Sequence, residues 1–140
     1  MEQQNYWLLI CNPKYYDFKG AFRDLDTIFW KQTPRMKRMQ PGDIGFVYIT
    51  RPFMRVMYMV EIINVGLELT KERKDKDADY TIGTRSTSDI ERCVEIKLIS
   101  ACDDVELGID FMRENGFTGT MQAPRFITNP ELIVYLKKFF

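Results

Sequence analysis

Two strand-like runs with only three residues between them constrain this chain more than any other feature. The first, Asp43 to Thr50, reads Asp-Ile-Gly-Phe-Val-Tyr-Ile-Thr, and the second extends from Met54 to Val65. Both are rich in the β-branched and aromatic residues that fit a pleated surface. The link Arg51-Pro52-Phe53 is short, so the pair is predicted to be an antiparallel hairpin. A chain organised around such a hairpin needs a sheet that is at least partly antiparallel.

The flanking segments fit that sheet. Tyr6 to Cys11 is a continuous apolar run stopped by Asn12-Pro13, which predicts a buried strand. Between Asp17 and Trp30 the apolar residues Phe18, Ala21, Phe22, Leu25, Ile28 and Phe29 recur at intervals of three and four. This spacing predicts a helix over about 18–26, capped by Asp17. Thr33-Pro34 pairs a capping residue with a first-turn proline and predicts a short helix from Pro34 to Met39, followed by a turn at Pro41-Gly42-Asp43. Thr70 to Asp79 is almost wholly charged and reads as a solvated, mobile loop. Glu91 to Ser100 alternates polar and apolar residues, as a half-buried strand does. Asp103 or Asp104 then caps a helix that ends at Asn115-Gly116, and Asn129-Pro130 opens a final helix near 130–139. The expected fold class is α+β: a curled, mostly antiparallel sheet with flanking helices, forming one domain over residues 1–140.

Composition removes whole classes of chemistry. There is no histidine, which excludes Ser/His/Asp triads, Cys/His dyads and His-ligated metal sites. The three cysteines, Cys11, Cys93 and Cys102, show no C-x-x-C spacing and read as reduced, mostly buried thiols of a cytoplasmic protein. The Asp24/Asp26 pair faces different sides of a helix and Asp103/Asp104 is explained by capping, so no metal is expected. Neither phosphate-loop motif is present, and Gly-Phe-Thr-Gly at 116–119 reads as a connection. The polar, acidic start has no basic n-region and no long apolar h-region, so no signal peptide is expected, and no apolar run approaches the ~20 residues of a membrane span.

One positive signal is local charge. Lysine plus arginine and aspartate plus glutamate number 20 each, so net charge is zero. From Thr27 to Val60, however, Lys31, Arg35, Lys37, Arg38, Arg51 and Arg55 are opposed only by Asp43, leaving +5. Trp30, Phe46, Tyr48 and Phe53 are interleaved with them. Such a zone suits phosphate contacts around a stacking pocket, and equally a solvated basic face over core aromatics.

The same residues resemble a family. Tyr6-Trp7-Leu8-Leu9, Asn12-Pro13, Trp30, Arg35-Met36-Lys37-Arg38-Met39, Gly42-Asp43, Phe46-Val47-Tyr48-Ile49-Thr50, Val60-Glu61-Ile62 and Gln122-Ala123-Pro124-Arg125-Phe126-Ile127-Thr128 occur in this order. The series is similar to EVE domains of the PUA-like group, which also includes YTH readers. The resemblance implies a PUA-like pseudo-barrel sheet holding a pocket for an extruded, often modified base, with no cofactor and no catalytic step. In that setting Trp30 and Tyr48 would be aromatic walls, Asn12 and Thr50 edge or phosphate donors, and Lys31, Arg35 and Arg125 phosphate contacts. The partner would be DNA or RNA. The rival occupants of such a pocket are a free small molecule or nucleotide, or a protein partner docking on the aromatics.

Overall fold

A computed structural model describes residues 4–82 and 92–140. Within them, six strands form one open sheet: β1 (Tyr6–Cys11), β2 (Thr27–Lys31), β3 (Ile44–Ile49), β4 (Arg55–Glu68), β5 (Arg92–Ala101) and β6 (Arg125–Phe126). Their order across the sheet is β2-β5-β4-β3-β1-β6. The predicted hairpin is β3 and β4, antiparallel from Ile44↔Glu61 to Ile49↔Arg55. Of these strands only β1 and β3 run parallel, Tyr6 opposite Ile44, because the chain between them makes a long crossover. The predicted fourth strand is β5; its first predicted residue, Glu91, lies outside the described residues.

Several boundaries differ from the sequence reading, each for a tertiary reason. Helix α1 (Phe18–Asp24) is capped by Asp17 as expected, but Leu25 is already extended and Thr27–Lys31 is strand β2. Ile28 and Phe29 fit the helical spacing, yet pairing with the free edge of β5 takes them into the sheet. The predicted helix from Pro34 shrinks to a 3-10 turn, Pro34–Met36. The charged stretch, which reads as a loop, carries a short helix, α2 (Lys71–Asp75), capped by Thr70, and a 3-10 turn, Ala78–Tyr80. Its order comes from contacts that a charge pattern does not reveal. Arg73 and Lys76 lie over the Phe29 ring at 5.6 and 5.2 Å, and buried Asp77 accepts a 2.8 Å hydrogen bond from the Tyr16 hydroxyl. The helix predicted after Asp104 divides at Gly108 into a 3-10 turn, Val105–Leu107, and α3 (Ile109–Glu114). Strand β6 has no counterpart in the sequence reading, because two residues carry no periodicity. Helix α4 (Pro130–Lys137) has Asn129 as its cap.

The sheet buries both faces. On one face Trp7, Leu9, Val47 and Ile49 pack with α1 and with Met36 and Met39. The basic segment thus turns its methionines inward at a spacing of three and its cations outward. The segment starts after β2 at one sheet edge, and its Arg38 lies over Phe126 of β6 at the other edge, 5.4 Å from the ring. It therefore bridges the two edges of the open sheet. On the second face Leu8, Phe46 and Tyr48 pack against α3 and α4.

Gly42 and Asp43 fix the start of β3. Gly42 adopts φ +92°, a region costly for any side chain. The buried Asp43 carboxylate accepts from Trp7 Nε1 (3.0 Å), Gln40 N (2.9 Å) and Asn5 N (3.3 Å). It thereby ties β1, the basic segment and β3 together.

Asn115-Gly116 ends α3 as predicted. Gly116 has φ +104°, and a Cβ there would lie 2.5 Å from Asn129 Nδ2. That amide donates to Gly116 O (3.1 Å) while the Asn129 side-chain oxygen caps α4. Gly116→Ala is expected to lower stability by about 1–3 kcal/mol in urea denaturation, since backbone strain and disruption of the Asn129 amide coincide. A neutral substitution would mean that this junction relaxes freely.

Candidate functional site

A cleft of about 710 Å³ opens on the second face of the sheet, over the core that contains Tyr48 and Met121. Three chain segments and a helix build it. Asn12 and Lys14 follow the end of β1, where Asn12 Oδ1 accepts from Lys14 N (3.0 Å) and shapes the turn around Pro13. Thr50, Arg51 and Met54 come from the hairpin link. Ile109 and Arg113 project from α3, and Thr120, Met121 and Gln122 complete the rim.

The lining separates into an apolar part, Tyr48, Met54, Ile109 and Met121, and a polar rim with three cations, Lys14, Arg51 and Arg113. Among the described residues no carboxylate lines it. Arg113 reaches Asp110 at 3.5 Å on its own helix and donates to Gly119 O at 3.2 Å. Lys14 lies over the Tyr15 ring, 5.5 Å from its centre. Burial pushes the Tyr48 hydroxyl above its ordinary pKa, with Arg113 pulling it back and Asp110 pushing it further. The cleft is thus a cationic mouth over a thioether-rich floor, suited to an anionic group attached to a flat apolar body.

The structure brings Asn12, Tyr48 and Thr50 into this cleft and leaves Trp30, Lys31, Arg35 and Arg125 off its walls. Trp30 packs against the opposite core, edge-on to Tyr16 with ring centres 6.1 Å apart, and its residue is half-buried. Trp30 and Tyr48 therefore do not face each other across one cage. Tyr48 is only 1% exposed, so no open ring face is presented for stacking. Lys31 and Arg35 are exposed, the first at the end of edge strand β2 and the second in the 3-10 turn that follows it. Arg125 sits over the Phe117 ring and directs its guanidinium to Thr118 O (2.5 Å) and Thr120 O (2.9 Å), holding the turn that leads into the cleft rim.

The basic zone is divided among several jobs. Arg55 pairs with Asp103 at 3.1 Å, Arg38 covers Phe126, and Arg51 alone of the zone reaches the cleft. Nothing local in the sequence marks Lys14 and Arg113. Only the parallel β1–β3 pairing and the packing of α3 carry them to the hairpin link.

Among the described residues no group of three or more Cys, Asp or Glu is placed to hold a metal ion. Cys11 and Cys93 are buried, Cys102 is half-buried, and all three are reduced cysteines. No helix among the described residues is long and apolar enough to cross a membrane.

Comparison with solved structures sets the fold among known ones. A hypothetical protein from Leishmania major matches with a TM-score of 0.66 at 16% identity, covering 97% of this chain and 94% of that one. A protein from Pseudomonas syringae gives 0.65 at 16% identity, with 96% and 99% covered. A mutant ASCH protein from Zymomonas mobilis gives 0.62 at 11% identity, with 99% of each chain covered. At these identities the likeness is one of fold. A search of curated proteins returns no match. The model of the EVE domain family matches residues 5–125, from β1 through the start of β6 and so across every strand that builds the cleft, and the chain belongs to the EVE domain family.

Proposed function

We propose that this protein is a non-catalytic nucleic-acid-binding module that seats a base, preferentially a modified one, and its phosphate in the cleft. The observation that carries the reading is the concentration of Lys14, Arg51 and Arg113 around an apolar floor, with no lining carboxylate among the described residues, in a chain of zero net charge. Asn12 and Thr50 supply amide and hydroxyl groups for a base edge, and Met54, Ile109 and Met121 the apolar contact. The polarizable thioethers suit a methylated ring. Extrusion of a base costs a few kcal/mol, which these contacts and the phosphate pairing offset. On this reading Arg125 acts indirectly through the Phe117–Thr120 turn, while Trp30, Lys31 and Arg35 form an outlying contact surface around the edge strand β2.

The cleft volume also suits a free nucleotide. Salt dependence separates the two. Binding to single-stranded oligonucleotides, followed by fluorescence anisotropy between 50 and 300 mM salt, is expected to weaken with a log–log slope of about −0.7 per phosphate contacted. Reversing Lys31 and Arg35 to Glu is expected to make that slope shallower by about 0.7 for each phosphate no longer neutralised, leaving cleft occupancy intact. A slope near that of a mononucleotide, unaffected by oligonucleotide length, would assign the cleft to a free ligand.

A further inference from the structure

Tyr48 carries a hydroxyl that the fold leaves poorly satisfied. The residue is 1% exposed, and its hydrogen bond runs to the Met54 sulfur at 3.7 Å. A thioether is a weak acceptor, so this buried donor holds its poorest class of partner. Met54 is itself unusual. It has φ +54°, a conformation that side-chain-bearing residues rarely adopt, and it is 38% exposed at the cleft wall. An exposed methionine thus covers a buried phenol at the floor of a cationic cleft, with the Arg113 charge close enough to act on that phenol.

We propose that the Tyr48 hydroxyl is a masked hydrogen-bond donor for a phosphate oxygen of the ligand, and that Met54 is the cap displaced when the ligand enters. The inference rests on the nucleic-acid reading of the cleft and assigns Tyr48 a donor's role instead of a stacking wall's. An anionic oxygen replacing the sulfur exchanges a weak acceptor for a strong one. Lys14, Arg51 and Arg113 supply the positive field that brings such an oxygen to this place. Methionine suits the cap because its unbranched side chain has three rotatable bonds and refills the gap when the ligand leaves.

The test uses the whole chain with ¹³C-methyl methionine and three probes: a nucleoside 5′-monophosphate, the matching nucleoside, and a short single-stranded oligonucleotide. Binding is followed by calorimetry and by methyl NMR, the Met54 signal being identified from Met54→Leu. The Met54 methyl resonance is expected to shift on adding the monophosphate or the oligonucleotide. Tyr48→Phe keeps the ring and is expected to unfold at the wild-type temperature while binding the phosphate-bearing probes about tenfold more weakly, the loss of one hydrogen bond to a charged group. Met54→Leu leaves the hydroxyl without its acceptor and is expected to bind them about two- to threefold more tightly. Equal affinity of wild type and Tyr48→Phe, or of nucleoside and monophosphate, overturns the masked-donor proposal while the cleft stays a binding site. No binding of any probe to the wild type overturns the function reading and this inference together. If both the monophosphate and the oligonucleotide bind and both lose affinity in Tyr48→Phe, the donor is confirmed; the oligonucleotide's tighter binding and steeper salt slope then show that the phosphate belongs to a strand.

Discussion

A variant with Lys14, Arg51 and Arg113 all changed to Glu is expected to bind single-stranded oligonucleotides at least about a hundredfold more weakly than the wild type, the cost of losing two or more charge-assisted contacts. The fold should tolerate it. Lys14, Arg51 and Arg113 are all exposed. Arg113 alone donates to a backbone carbonyl, that of Gly119, so its removal is expected to cost about 1 kcal/mol of stability. Anisotropy titration at low salt, beside a thermal melt, reads both quantities. The comparison variant is the reversal of Lys31, Arg35, Lys37 and Arg38, whose positions lie in the segment bridging the sheet edges. If that variant abolishes binding and the cleft variant does not, the nucleic acid lies on the opposite face and the cleft reading fails.

The second large effect is on stability. Trp7→Ala is expected to lower it by about 3–5 kcal/mol, the usual cost of emptying a core site of a large aromatic. Trp7 is 1% exposed and packs edge-on against Phe126 with ring centres 5.1 Å apart. The loss should exceed a pure cavity cost, because Trp7 Nε1 also donates to buried Asp43 and its removal leaves that carboxylate short of a partner at about 1–3 kcal/mol. Trp7→Phe isolates the second contribution, since most of the ring remains. Trp30→Ala supplies the contrast. Trp30 is half-buried at the edge strand, so about half the core cost is expected. Urea denaturation of the three variants orders them. A Trp30→Ala loss equal to that of Trp7→Ala would make Trp30 a core residue. A drop of about 1–3 kcal/mol in oligonucleotide affinity with little loss of stability would instead show a base stacking on it.

Prominence in the family likeness and a place in the cleft are different properties of a residue. The Tyr-Trp-Leu opening and the Gly-Asp pair are both prominent in the likeness, and in the structure they are one device. Trp7 donates to Asp43, and Gly42 supplies the turn that aims Asp43 at it. Their prominence is explained by folding. Of the groups that line the cleft, Asn12, Tyr48, Thr50 and Gln122 belong to the likeness and Arg51 to the basic zone, while no linear pattern distinguishes Lys14, Met54, Ile109, Arg113, Thr120 and Met121.

What the sequence determined by itself was local. The β-branched and aromatic content of 43–50 and 54–65 with a three-residue link specifies β3 and β4, because the hairpin is a short-range structure that needs no distant partner. Asp17 and Asn129 are caps in the structure as in the sequence reading, since a cap bonds within three residues of itself. The absence of histidine removed chemistry irrespective of fold. Tertiary structure alone decided the rest. Thr27–Lys31 became a strand because β5 offered an edge, and Lys71–Asp75 became ordered because Phe29 and Tyr16 offered partners to Arg73, Lys76 and Asp77. The cleft exists only because a parallel pairing of β1 with β3 sets the Asn12 turn beside the Thr50 turn, and because the second-face core draws α3 over both. The sequence separation between Lys14, Arg51 and Arg113 is closed by long-range packing, and no local pattern encodes a distance that only the completed sheet defines.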